Sequence, residues 1–195
     1  MKLCEVAKSV KLDRLDVEDW LSARHITHYT IQDNGVVDVF DSVLISDMNM
    51  TVLPIQFGNV TGDFNCSHTK LANLKGCPQK VGGDFVCRSN YLTSLIGSPR
   101  LVNRHFDCSY TKIRSLAGLP YYITGDFDCY GCTQLTDMLK HIFNPKFTLV
   151  GTFFTPDTSL DDIINEHLSD HDLMGCVEQI CQLNSSELFK YCGLK

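Results

Sequence analysis

No stretch of the 195-residue chain stays apolar for the ~20 residues that a membrane-crossing helix needs; the longest candidate is Phe147–Phe154. The opening Met1-Lys2-Leu3-Cys4-Glu5 interleaves charge with apolar side chains, without the roughly 7–15-residue apolar core of a secretion signal. A soluble, unexported, cytoplasmic protein is the expectation. Also missing are H-E-x-x-H, G-x-x-x-x-G-K-[ST] and G-x-S-x-G, and with them the usual marks of a zinc protease, a phosphate-binding loop and a serine hydrolase. Cys129-Tyr130-Gly131-Cys132 is a C-x-x-C with no second pair, which leaves a structural zinc short of ligands. Positive charge is scarce at both ends. Residues 1–59 carry 5 basic and 9 acidic side chains, and residues 137–195 carry 4 and 9; only residues 60–136, with 8 and 5, are net basic. A protein that tracks nucleic acid normally shows a basic stripe, so nucleic acid is not an expected partner.

What is present is enough for one domain or an elongated array. The chain is 44% hydrophobic and 21% charged, outside the disordered and collagen-like ranges. Its ten cysteines, in a chain with no sign of export, are read as reduced, small apolar residues suited to burial.

The dominant signal is repetition. From Val60 the chain reads VTGDFNCSHTKLANLKGCPQK, from Val81 VGGDFVCRSNYLTSLIGSPRL, and from Val102 VNRHFDCSYTKIRSLAGLPYY. From Ile123, ITGDFDCYGCTQLTDML begins a fourth copy and then decays. The step is 21 residues throughout, and Val43, Ile45, Met50 and Leu53 make a degenerate rung one period earlier. Phe64, Phe85, Phe106 and Phe127 form one column and Cys66, Cys87, Cys108 and Cys129 another, two residues on and therefore on the same face of a strand. One 21-mer cannot cover its own apolar side, whereas stacked copies share a continuous core. The column Thr69, Asn90, Thr111, Cys132 suits an inward polar ladder that bonds to neighbouring backbone.

The pattern resembles the leucine-rich repeat, with Phe and Cys in two of its leucine columns, over roughly residues 39–138. In finer detail, G-D-F-x-C-x(4)-L-x-x-L-x-G-x-P is similar to a repeat of tailed-bacteriophage proteins. That resemblance implies an α/β solenoid of short parallel strands. It also implies a phage accessory protein that binds and modulates or inhibits a host or defence protein in the host cytoplasm.

Solenoid ends need covers, and both flanks are read as such. Residues 1–38 are expected to form an N-terminal cap: a helix capped by Asp16 and running to about Arg24, then a hairpin of Tyr29–Gln32 and Val36–Val39 around Asp33-Asn34-Gly35. Residues 39–138 form the repeats. Residues 139–195 form a C-terminal helical cap, with Phe147–Phe154 as a strand and helices near 159–168, 170–183 and 185–192.

Three columns are placed on the outward side of the strands: Asp63, Asp84, His105, Asp126; Asn65, Val86, Asp107, Asp128; and Ser67, Arg88, Ser109, Tyr130. Like charges stacked on neighbouring strands are unfavourable, which singles out His105, Asp107, Asp126 and Asp128 as receivers of a partner's basic segment, with Arg88 and Tyr130 as anchors. Turn chemistry is the competing account of Asp63, Asp84 and Asp126. His167 and His171 have metal-pair spacing, but Ser169…Asp172 reads as a helix start between them. The expectation is a non-enzymatic protein-binding module, without catalytic residues, cofactor or metal. The alternatives are an enzyme working through the C-terminal helices and a small-ligand or nucleotide binder near His105–Asp128.

Overall fold

A computed structural model describes residues 13–45, 49–183 and 185–193. The first of them form α1 (Arg14–Ser22), followed by a hairpin of β1 (Tyr29–Ile31) and β2 (Val36–Val39). Asp13, not Asp16, caps α1: its carboxylate accepts from the Asp16 N–H at 2.9 Å, and Asp16 returns the bond to the Asp13 N–H. The two acids form a capping box, in which the residue at the third helical position supports the cap. The rest of the sequence expectation for residues 1–12 lies outside the described residues.

From β2 onward every turn of the chain contributes two short strands rather than one. These are β3 (Val43–Leu44), β4 (Gln56–Val60), β5 (Phe64–Asn65), β6 (Lys80–Val81), β7 (Phe85–Val86), β8 (Leu101–Val102), β9 (Phe106–Asp107), β10 (Tyr122–Ile123) and β11 (Phe127–Asp128). After α2 (Met138–Ile142) come β12 (Thr148–Leu149) and β13 (Phe153–Phe154), and then α3 (Asp161–Leu168), α4 (Leu173–Gln182) and α5 (Ser186–Cys192). The strands sort into a seven-stranded sheet, β1-β2-β4-β6-β8-β10-β12, and a six-stranded sheet, β13-β11-β9-β7-β5-β3. All pairings except β1 with β2 are parallel. The protein is a stacked parallel β-solenoid whose middle rungs step by 21 residues, as Phe64↔Phe85↔Phe106↔Phe127 show.

Backbones run close at the corner between the two strands of a rung: a Cβ on Gly83 would lie 2.0 Å from Asp63 Oδ1 and 2.9 Å from the Asp63 backbone nitrogen of the rung before, whereas Arg104 holds the same place one rung on. Inside, the Phe column forms a spine of fully buried rings with centroids 5.0–5.7 Å apart from Phe64 to Phe127. Phe153 extends it at 4.9 Å, and Phe57 and Trp20 at the other end. Such contacts add about 0.5–1.5 kcal/mol per pair beyond burial. Cys66, Cys87, Cys108 and Cys129 are buried free thiols, and burial pushes those of Cys87, Cys108 and Cys129 well up.

Asn90 is the hub of the inward polar ladder. Its amide nitrogen donates to the carbonyls of Cys66 (2.9 Å) and Cys87 (3.0 Å), and its oxygen accepts from the Leu71 N–H (2.9 Å) and the Thr69 hydroxyl (2.6 Å). Thr111 bonds the Cys108 carbonyl at 2.8 Å, and the Cys132 thiol reaches the same oxygen at 3.3 Å. Cys132 therefore takes the place of Asn90 two rungs on.

Stacking continues past residue 138, where the sequence repeat fades. Phe147–Phe154 is two strands rather than one, with Gly151 between them, and it pairs with β10 and β11 as a further rung. The step there is 26 residues, because α2 and its loop are inserted before β12. Phe153 thus completes the Phe column out of register with the motif that announces it.

Candidate functional site

The outer face of the second sheet presents Asn65, Val86, Asp107 and Asp128 in strict strand register. Neighbouring strands lie ~4.8 Å apart, so Asp107 and Asp128 are stacked carboxylates. Each also serves its own turn. Asp107 Oδ1 accepts from the Ser109 N–H (2.9 Å) and hydroxyl (2.6 Å), and Asp128 Oδ1 accepts from the Tyr130 N–H (2.7 Å). Asn65 makes the same two bonds to Ser67 at 3.0 and 2.7 Å with a neutral amide. Partial burial, then the negative charges of Asp107 and Asp161, raise the Asp128 carboxyl above the usual aspartate range against the opposing Tyr130 N–H and Arg88.

The column Asp63, Asp84, His105, Asp126 links rungs. Asp63 Oδ1 accepts from the Asp84 N–H (2.8 Å), Asp84 Oδ1 from the His105 N–H (3.0 Å), His105 Nδ1 from the Asp126 N–H (3.0 Å), and Asp126 Oδ1 from the Thr152 N–H (2.8 Å). Side chains of one rung hold the backbone of the next. His105 and Asp126 also meet at 3.2 Å on the rim of the face. In the third column Arg88 and Tyr130 are exposed, but Ser67 and Ser109 are buried, because each folds back onto the side chain two residues before it.

Tyr110 was not among the residues singled out from the sequence. Its ring lies 5.5 Å from that of Tyr130, edge to face, and a Cβ on Gly131 would lie 2.8 Å from it. Its signal was an exposed tyrosine in the column His68, Ser89, Tyr110, Gly131, all of which have positive φ. The three non-glycine members hold that strained conformation because their N–H groups bond to Arg88, Ser109 and Tyr130 of the following rung.

Two further clusters bear on catalysis. Ser115, Asp137 and His141 meet: Ser115 Oγ donates to Asp137 Oδ2 at 2.6 Å, and His141 Nε2 lies 2.9 Å from the same oxygen and 3.3 Å from Ser115 Oγ. One imidazole nitrogen faces both partners, whereas a nucleophile relay uses one nitrogen for serine and the other for aspartate. His167 sits in α3 with Nδ1 3.1 Å from Asp172, while His171 lies in the following turn at φ 54°, so the two do not share a helix face. Asp172, not Ser169, caps α4 through the Gly175 N–H at 2.9 Å. Among the described residues no three His, Cys, Asp or Glu side chains gather as a metal set, and no helix is long and apolar enough to cross a membrane. Comparison with protein-family models, curated proteins and solved structures yields no match to this chain.

Proposed function

We propose that this protein is a non-enzymatic protein-binding module whose partner docks on the outer face of the second sheet. Asp107 and Asp128 receive a basic segment, Arg88 and Tyr130 anchor it, and His105 and Asp126 stand at its rim. One observation carries the reading. Asn65 does for its turn what Asp107 does for the next but one, without a charge. The stacked carboxylates therefore exceed what the fold requires, and they repel each other on a surface open to a cation. Tyr130 and Tyr110 supply rigid aromatic area beside them, the residue type enriched at binding hot spots.

In this reading the strands are leucine-rich-repeat-like rungs, α1 with the hairpin closes one end, and α3 to α5 close the other. The similarity of the repeat to those of tailed phages supports a role in the host cytoplasm, binding and modulating or inhibiting a host or defence protein. A preformed face lowers the ordering cost of such binding.

The test removes charge and keeps the turn bonds. Tagged wild type and an Asp107→Asn/Asp128→Asn variant are used side by side to capture proteins from bacterial lysate. A partner retained by the wild type and lost by the double variant and by Tyr130→Ala, at unreduced melting temperature, is the expected result. Equal capture by all three removes this face from the function.

A further inference from the structure

A cavity of about 430 Å³ opens at the other strand ladder, on the turns that lead into β8, β10 and β12. Its lining includes the column Gln79, Arg100, Tyr121 of three successive rungs, held in line by the backbone bonds Arg100 N–H to Gln79 O and Tyr121 N–H to Arg100 O, both 2.9 Å. His141 at the end of α2 and Asn144 and Lys146 of the α2–β12 loop form another wall of the lining. This wall exists only because the step between rungs lengthens here from 21 to 26 residues. The loop is braced before any ligand arrives: Asn144 Oδ1 accepts from the Lys146 N–H at 2.9 Å, and the Phe147 N–H bonds Asn144 O at 2.8 Å. Asp137 fixes the His141 ring at 2.9 Å.

The chain carries a net charge of −6, yet among the described residues no Asp or Glu lines this cavity. Arg100 and Lys146 both do, and among the described residues neither has an ion-pair partner or a side-chain hydrogen bond. Two exposed cationic residues on the lining of one concavity without a counter-charge favour an anion there. Pro99, Leu119 and Phe147, with the exposed Ile96 and Tyr121, supply an apolar patch within a lining that is otherwise mostly polar. The volume falls within the 300–1,000 Å³ or so of small-molecule sites.

We propose that this cavity binds a small phosphomonoester with a ring-shaped body, of the size of a nucleoside monophosphate. The guanidinium fork of Arg100 and the ammonium of Lys146 take the phosphate oxygens, with the amides of Gln79 and Asn144 at the margin. Three terminal oxygens can accept from all these donors, where a carboxylate has two. The ring lies against Tyr121 and the apolar patch. The site is independent of the Asp107/Asp128 face on the other sheet.

Isothermal titration of the full chain with adenosine monophosphate, adenosine and inorganic phosphate tests this. The expected result is saturable one-to-one binding of the monophosphate, with adenosine at least about tenfold weaker and Arg100→Ala and Lys146→Ala each weaker by roughly tenfold, as loss of a charge-assisted bond implies. Lys70→Ala, which removes an exposed cation outside the lining, leaves the affinity unchanged. Neither Arg100 nor Lys146 makes a side-chain bond that the fold uses, and unchanged circular dichroism verifies that each variant is folded. Absence of saturable heat with the monophosphate, or undiminished affinity in the Arg100→Ala/Lys146→Ala double variant, overturns the site. Inorganic phosphate binding as tightly as the monophosphate overturns the part given to the ring and its apolar patch.

Discussion

Asp107 and Asp128 occupy a column in which an amide also works, and the difference has a measurable sign. The Asp128 carboxyl titrates higher in the folded chain than in the unfolded one, chiefly because partial burial disfavours its charge. Between those two values the folded state holds more protons, so stability falls as pH rises through the window. At neutral pH the ionised Asp128 is a net burden; below the unfolded carboxyl range the burden is gone. Asp128→Asn keeps an acceptor for the Tyr130 N–H and removes the charge. It is expected to melt about 1–3 °C above wild type at pH 7, the gap closing as pH drops below the ordinary aspartate range. A scan of melting temperature against pH checks this, and a variant less stable than wild type at neutral pH would contradict it.

At the scale of an element, the two sheets end differently. On β11 the Phe127 and Cys129 N–H groups donate to the next rung, at Thr152 O (2.9 Å) and Phe154 O (3.0 Å). On β13, the last strand of its sheet among the described residues, side chains take over. The Phe153 N–H donates to Asn165 Oδ1 (2.7 Å), the Phe153 carbonyl accepts from Asn165 Nδ2 (2.9 Å), and the Thr155 N–H donates to Asp161 Oδ1 (2.8 Å). Helix α3 thus imitates a strand and closes an edge that would otherwise invite pairing. On β12 the Thr148 and Val150 N–H groups point back to β10, so that of Leu149 points outward, and among the described residues nothing accepts from it. Asn165→Ala orphans both polar groups of Phe153 and is expected to cost about 2 kcal/mol in urea unfolding. The Phe153 amide should become the site of greatest gain in hydrogen exchange. A cost within error of zero would mean that the edge is closed by other means.

The whole molecule is a one-dimensional stack, with paired carboxylates on the second sheet and an arginine and a lysine at the cavity beside the first. Each rung bonds mainly to its neighbours, so stability is expected to grade along the axis. Amides of Phe85 and Phe106, flanked by complete rungs and stacked rings on both sides, should exchange most slowly. Those of Thr148 and Leu149, on the last strand of their sheet, should exchange fastest among strand residues. Uniform protection along the axis would show instead a single cooperative unit.

Much of this architecture was written in the chain itself. A 21-residue step with Phe, Cys, Asn or Thr, and Leu in constant columns can bury its apolar side only by stacking, so the solenoid, the ring spine, the thiol column and the role of Asn90 follow from spacing alone. The outward columns were legible as positions but not as partners. That Asp63, Asp84, His105 and Asp126 each hold the next rung's backbone depends on how closely successive corners stack, which a column of letters does not display. Tertiary structure alone decided that each rung carries two strands, that Phe153 closes the spine after a 26-residue step, and that the inserted α2 loop makes a basic cavity from Arg100 and Lys146. The physical reason is distance along the chain: periodic contacts recur at a fixed separation and announce themselves, whereas contacts across an insertion occur once and are set only when the chain closes on itself.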